Sequence, residues 1–133
     1  MCPVIVKRSQ ASYSDTVGSL LAAIERRGLT LFSRVDHAAG ARAVGLQLAD
    51  EELFMFGNPL SGTPLMQSDP RIGLELPLKL LVWREGADVL VGFRDPRELA
   101  GSYDVAPCKA TLEQMAALLG DLAVEAAGTT PTR

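Results

Sequence analysis

The sequence predicts an α+β domain built on one antiparallel sheet. Three observations lead there. Strand patterns outnumber helical ones, in the order β-α-β-β-β-(short helix)-β-β-(short helix)-α. Two of the strand pairs read as hairpins, which require antiparallel pairing. The two long helical patterns, one near each end of the chain, each carry a single apolar stripe, so both are expected on the same face of the sheet.

Each element has its own signal. Val4, Ile5 and Val6 within Pro3–Lys7 form a β-branched run suited to a strand. A helix follows, capped by Ser12 or Ser14 and running to Arg27, with Val17, Leu20, Leu21 and Ile24 at helical spacing. Gly28 stands where a left-handed cap needs no side chain. Leu29–Asp36 reads as a strand and His37–Arg42 as a connection or a single helical turn. Val44, Leu46 and Leu48 alternate, so a strand is expected there, paired as a hairpin with Leu53–Phe56 across Ala49-Asp50-Glu51.

Gly57-Asn58-Pro59 ends that strand, and a loop runs through Gly62. Thr63-Pro64 predicts a short helical turn over Leu65–Ser68, and Asp69-Pro70 repeats the signal. Leu78–Trp83 and Val89–Phe93 are strands joined by the turn at residues 85–88. Asp95-Pro96 opens another short helix to about Ala100. Thr111 with Gln114 reads as a capping box for a last helix that reaches about Ala127, with Leu112, Met115, Leu119 and Leu122 on one face. One domain over residues 1–127 results, followed by a flexible tail, 128–133.

Composition sets limits. The 133 residues are 47% hydrophobic and 22% charged, a globular composition. Thirteen Lys and Arg against sixteen Asp and Glu give a net charge of −3, which argues against a phosphate-backbone partner. No membrane span or secretory signal is legible, so a cytoplasmic protein is expected. Cys2 and Cys108 are read as free thiols. One histidine and two distant cysteines offer no metal-ligand spacing, and neither metal nor cofactor is expected. Serines 9, 12 and 14 lack the elbow motif of a nucleophile.

Two polar groups stand out. Asp36-His37 holds the only histidine, at a strand end. The carboxylate can cap the turn after it while His37 fills a half-buried site, or the pair can bind a ligand or serve acid–base chemistry. The segment from Gly57 to Met66 carries Asn58, Ser61 and Thr63 between glycines. It reads either as a turn with local caps or as a glycine-bearing anion loop, without the lysine of a P-loop.

Several segments together resemble a known family. Gly28-Leu-Thr-Leu-Phe32, Val35-Asp36-His37, Leu53-Phe-Met-Phe-Gly-Asn-Pro59, Gly62-Thr-Pro-Leu-Met66, Leu76-Pro-Leu-Lys-Leu80 and Asp95-Pro96 are similar to the bacterial and archaeal family catalogued as domain of unknown function 302. The likeness spans roughly Val4 to Leu122. It implies a curved antiparallel sheet with a TATA-binding-protein-like β-α-β(4)-α order, and it carries no agreed activity. Within the family pattern fall Asp36, His37, Gly57, Asn58, Pro59, Gly62, Thr63 and Met66.

The expectation is therefore a small module that binds a small ligand or a partner and self-associates. Its candidate pocket comprises Asp36, His37, Asn58 and Thr63, converging at one rim of the sheet. The alternatives are a small hydrolase or isomerase using His37 with Asp36, or a purely structural dimer. A homodimer burying on the order of 1,200 Å² is expected, because Leu53–Phe56 and Leu80–Trp83 offer apolar side chains to both faces and two helices cover one.

Overall fold

The computed structural model describes residues 4–128. Residues 1–3, with Cys2, and the expected tail beyond Gly128 lie outside the described residues. The first strand, β1 (Val4–Arg8), leads to α1 (Tyr13–Arg26), and Ser12 is its cap, accepting the Asp15 N–H at 3.1 Å. The helix ends at Gly28, whose φ of 69° is the left-handed conformation that costs glycine little. Then come β2 (Thr30–Asp36), α2 (His37–Ala43), β3 (Glu51–Gly57) and α3 (Pro59–Ser68). A 3-10 turn at Pro70–Leu74 precedes β4 (Leu78–Glu85) and β5 (Asp88–Arg94). Further 3-10 turns at Pro96–Gly101 and Ala106–Cys108 lead into α4 (Lys109–Ala127).

The five strands form one antiparallel sheet in the order β1-β5-β4-β3-β2. The register fixes its two faces. Phe54 stands opposite Leu80, and Val82 opposite Val91, so these four share a face. They join Leu20 and Ile24 of α1 with Leu112, Leu119 and Leu122 of α4 in a single core. Both long helices therefore pack on the same side, as their single stripes predict. Ion pairs from Arg26 and Arg27 to Glu125 tie the end of α1 to α4, and the two guanidiniums, Arg27 foremost, hold the Glu125 carboxyl below its usual range.

The opposite face carries Leu53, Met55, Leu81, Trp83 and Leu90, with Val4 and Val6 beside them. Neither α1 nor α4 reaches it, and Val4 and Val6 are 54% and 47% exposed.

Four expectations need correction. The strand at Val44, Leu46 and Leu48 does not form. These residues are 72%, 65% and 45% exposed, and β3 already has β2 and β4 on its two edges. With both edges of β3 taken, the expected hairpin with Leu53–Phe56 has nowhere to pair, and alternation alone specifies no strand. The connection after Asp36 is a seven-residue helix. Helix α3 starts at Pro59, six residues earlier than expected, because Asn58 caps it and Pro59 at its first position lacks only an N–H that would go unpaired there. Thr111 lies inside α4 and caps nothing, since the turn at Ala106–Cys108 runs straight into a helix starting at Lys109.

Candidate functional site

The segment from Gly57 to Asp69 is built locally. Asn58 Oδ1 accepts the Leu60 N–H at 2.9 Å, and its carbonyl accepts the N–H groups of Ser61 and Gly62 at 2.9 and 3.1 Å. Leu65, fully buried, anchors α3 to the core. Asp69 then ends the helix. Its buried carboxylate accepts the Arg71 N–H at 3.1 Å, the Arg71 guanidinium at 3.0 and 2.8 Å and the Asp104 N–H at 2.9 Å. Chiefly through the Arg71 hydrogen bonds, the carboxyl is held well below the usual carboxylate range. Ser68 Oγ donates to the Asp104 carbonyl at 2.6 Å, so α3 is fixed to the segment leading into α4.

Between α3, α4 and the adjoining ends of β2 and β3 lies a cavity of about 560 Å³. Leu29, Phe32, Leu78, Met115 and Leu118 supply its apolar surface. Asn58, Ser61, Thr63, Thr111 and Gln114 bring hydroxyls and amides to it. Gly57, Pro59, Gly62 and Met66 complete the α3 side. No Asp, Glu, Lys, Arg or His is among the lining residues.

The four expected pocket residues separate into two pairs. Asn58 and Thr63 line the cavity. Asp36 and His37 do not, because β2 and β3 are antiparallel. Thr30 stands beside Gly57 and Asp36 beside Glu52, which puts Asp36 about 20 Å away at ~3.3 Å per residue. The convergence expected from chain order is thereby corrected. Asp36 Oδ1 accepts the Ala39 N–H at 2.9 Å and caps α2, and His37 is the exposed first residue of that helix. Sequence reasoning missed Thr111, Gln114 and Leu118. Their i, i+3, i+7 spacing marks one face of α4, while Thr111 with Gln114 also fits the pattern of a capping box.

Two other polar groups lie elsewhere. Arg34 makes a two-pronged contact with the buried Glu52 at 2.7 and 3.2 Å, with its guanidinium 5.3 Å above the Phe54 ring. Burial and then the nearby carboxylates of Glu52, Asp50 and Asp36 push the Tyr13 hydroxyl up to about 12. At the far end of the helix-free face, a recess of about 460 Å³ is bordered by Val4, Leu81, Trp83 and Gly92 and by Lys79 and Arg94. There Lys79 Nζ donates to the Glu75 and Pro77 carbonyls at 3.0 and 3.1 Å, and burial pulls its pKa down. Among the described residues no three metal-ligating side chains converge, and no helix is long and apolar enough to cross a membrane.

A five-stranded antiparallel sheet with two long helices on one face, and an uncharged cavity under a short third helix, defines a class of small α+β domain. The sequence profile described as "Domain of unknown function DUF302" matches residues 5–122, and the chain belongs to that family. Its fold is similar to the crystal structure of an uncharacterized conserved DUF302 protein from Bacillus stearothermophilus, with a TM-score of 0.83 at 16% identity, covering 92% of this chain and 97% of that one. The chain is also 39% identical over 103 residues to "Fluoride-specific ion channel FluC 1" of Brucella suis biovar 1 (strain 1330), covering 77% of this chain and 41% of that protein. A "Fluoride-specific ion channel FluC 1" of Brucella abortus biovar 1 (strain 9-941) is equally similar, with 38% of it covered. The chain thus spans about two fifths of the length of the curated relatives it matches.

Proposed function

We propose that this domain binds a small, uncharged, largely apolar molecule in the cavity between α3 and α4. The observation that carries the reading is the lining: apolar side chains with neutral hydrogen-bonding groups and no charge. Such a site favours a ligand with an apolar body and one hydroxyl, carbonyl or amide, since an unpaired charge would lose its hydration without compensation. The cavity volume suits a molecule of drug or metabolite size. The segment by which the chain resembles its family, Gly57 to Met66, forms one wall, which also supports the reading.

The channel activity in the names of the Brucella proteins is not carried over, because this chain matches well under half of them. Acid–base chemistry by His37 with Asp36 is not proposed either, because Asp36 is engaged in capping α2 away from both hollows.

Nile red, a neutral apolar dye, tests the proposal. Its fluorescence should rise on binding wild-type protein and fall back with Gly62→Leu. A Cβ at Gly62 sits 3.6 Å from Leu76 Cδ1, an ordinary contact, so the longer side chain enters the cavity wall without a backbone clash. Equal binding by both proteins contradicts the reading.

A further inference from the structure

We propose that the ligand of the α3–α4 cavity is a non-ionic amphiphile with a polyhydroxylated head, held with the head at the cavity mouth and the alkyl chain inward. The inference rests on the ligand reading above and deepens it. Its first support is the way burial sorts the lining. Asn58, Thr63 and Gln114 are exposed and Ser61 and Thr111 half-buried, whereas Met115 and Leu78 are 5% and 9% exposed. Neutral polar groups therefore stand at the rim and apolar ones at the floor. Phe32 and Met66 add apolar edges to that rim. Along α4 the lining runs from Thr111 to Leu118, about 10 Å at ~1.5 Å per residue, the reach of a medium-length alkyl chain.

The second support is the hydrogen-bonding capacity at the rim. Asn58 Oδ1 is taken by the Leu60 N–H. Among the described residues, no protein group bonds the side chains of Ser61, Thr63, Thr111 or Gln114. The two helices bring these groups to one opening. Helix α3 and the segment entering α4 run past each other in opposite directions, since Ser68 Oγ donates to the Asp104 carbonyl and the Cys108 thiol to the Pro64 carbonyl at 3.7 Å. Thr63, beside Pro64, is thereby brought toward Thr111, about one turn beyond Cys108. Three hydroxyls and an amide each both donate and accept, more than a single ligand hydroxyl can use. A head with several hydroxyls matches them, and a charged head meets no opposite charge among the lining residues.

Displacement of Nile red from the full chain tests this. Monooctanoylglycerol and methyl octanoate share an acyl chain and an ester, and only the first has hydroxyls. Burial of apolar surface alone favours the methyl ester. The glycerol ester should nevertheless displace the dye about tenfold more effectively, through two or more hydrogen bonds at the rim. Thr111→Val combined with Gln114→Met should shrink that ratio to about twofold and leave displacement by methyl octanoate unchanged. Circular dichroism establishes that each variant is folded. Gln114 is exposed, so should the double variant fail to fold, Gln114→Met alone decides, with the ratio cut about threefold. Wild-type protein that takes both esters equally, or prefers the methyl ester, overturns this proposal while the ligand reading stands. A ratio that folded variants leave intact overturns the placement of the head. Wild-type protein that does not bind Nile red overturns the ligand reading, and this proposal with it.

Discussion

The indole of Trp83 lies across Gly92 on the neighbouring strand: a Cβ added at Gly92 would stand 2.9 Å from Cζ3 and 3.0 Å from Cη2 of that ring. Val4 Cγ1 closes the same space at 3.2 Å. Glycine is therefore required for the ring to lie flat. Gly92→Ala should displace the ring at a cost of about 1 kcal/mol, the low end for overpacking, because the ring is only partly buried. Trp83 is the chain's one tryptophan, so its emission reports the shift directly. An unchanged spectrum and unchanged stability would contradict this packing.

Asp69 makes stability sensitive to acid. Its carboxyl is held below the ordinary value of about 3.9 by the Arg71 side chain first and the Asp104 N–H second. The unfolded chain takes up that proton at higher pH than the folded one. The stabilisation is complete above about pH 5 and is lost as pH falls through the unfolded value toward the folded one. Asp69→Asn should lower the denaturation midpoint at neutral pH and shrink the loss of stability between about pH 5 and pH 3. A variant as acid-sensitive as the wild type would remove Asp69 from this role.

Tyrosine ionisation supplies the alkaline counterpart. Tyr13 is pushed up to about 12 by burial and then by Glu52, Asp50 and Asp36. Tyr103 is raised as well, first by the hydrogen bond to Glu75. A raised folded value means that stability is intact below about pH 10, where the unfolded tyrosine begins to ionise, and declines as pH climbs toward 12. In a Tyr103→Phe variant, tyrosinate absorbance should appear as one step near pH 12 or on unfolding. A step near pH 10 in the folded protein would contradict the Tyr13 environment.

Asn58 joins the fold to the cavity, and its two roles separate by substitution. Asn58→Ala removes the α3 cap and should cost about 1 kcal/mol in urea denaturation. Asn58→Asp keeps a capping oxygen, so stability should stay near wild type. It also places a charge on an uncharged lining, so Nile red should bind several-fold more weakly. Full stability in Asn58→Ala would remove the capping role.

The fold was legible where pattern and partner agree. The stripe of Val17, Leu20 and Ile24 and that of Leu112, Met115, Leu119 and Leu122 both face one core, and their helices share a side of the sheet. Val44, Leu46 and Leu48 misled because period-two spacing says nothing about whether an edge is vacant. The candidate site was half legible. Asn58 and Thr63 stand out by residue type within a glycine-bearing segment. Their separation from Asp36 depends on which ends of β2 and β3 adjoin, a matter of pairing direction that chain order leaves open. Thr111 and Gln114 were visible as an i, i+3 pair, yet only the packing of α4 beside α3 turns that face toward a cavity.

The central claim, an uncharged ligand in the α3–α4 cavity, is tested most directly by competition between two molecules that differ only in charge at one end. Decanol and decanoate, titrated at neutral pH against the Nile red complex, share an apolar chain and differ in the head group. Decanol should displace the dye at least about tenfold more effectively, since an unpaired carboxylate in a neutral lining costs more than the ~1.4 kcal/mol that tenfold represents. Val6→Asp, on the opposite face of the sheet, should leave that ratio unchanged. Displacement by decanoate equal to or stronger than that by decanol would contradict the account.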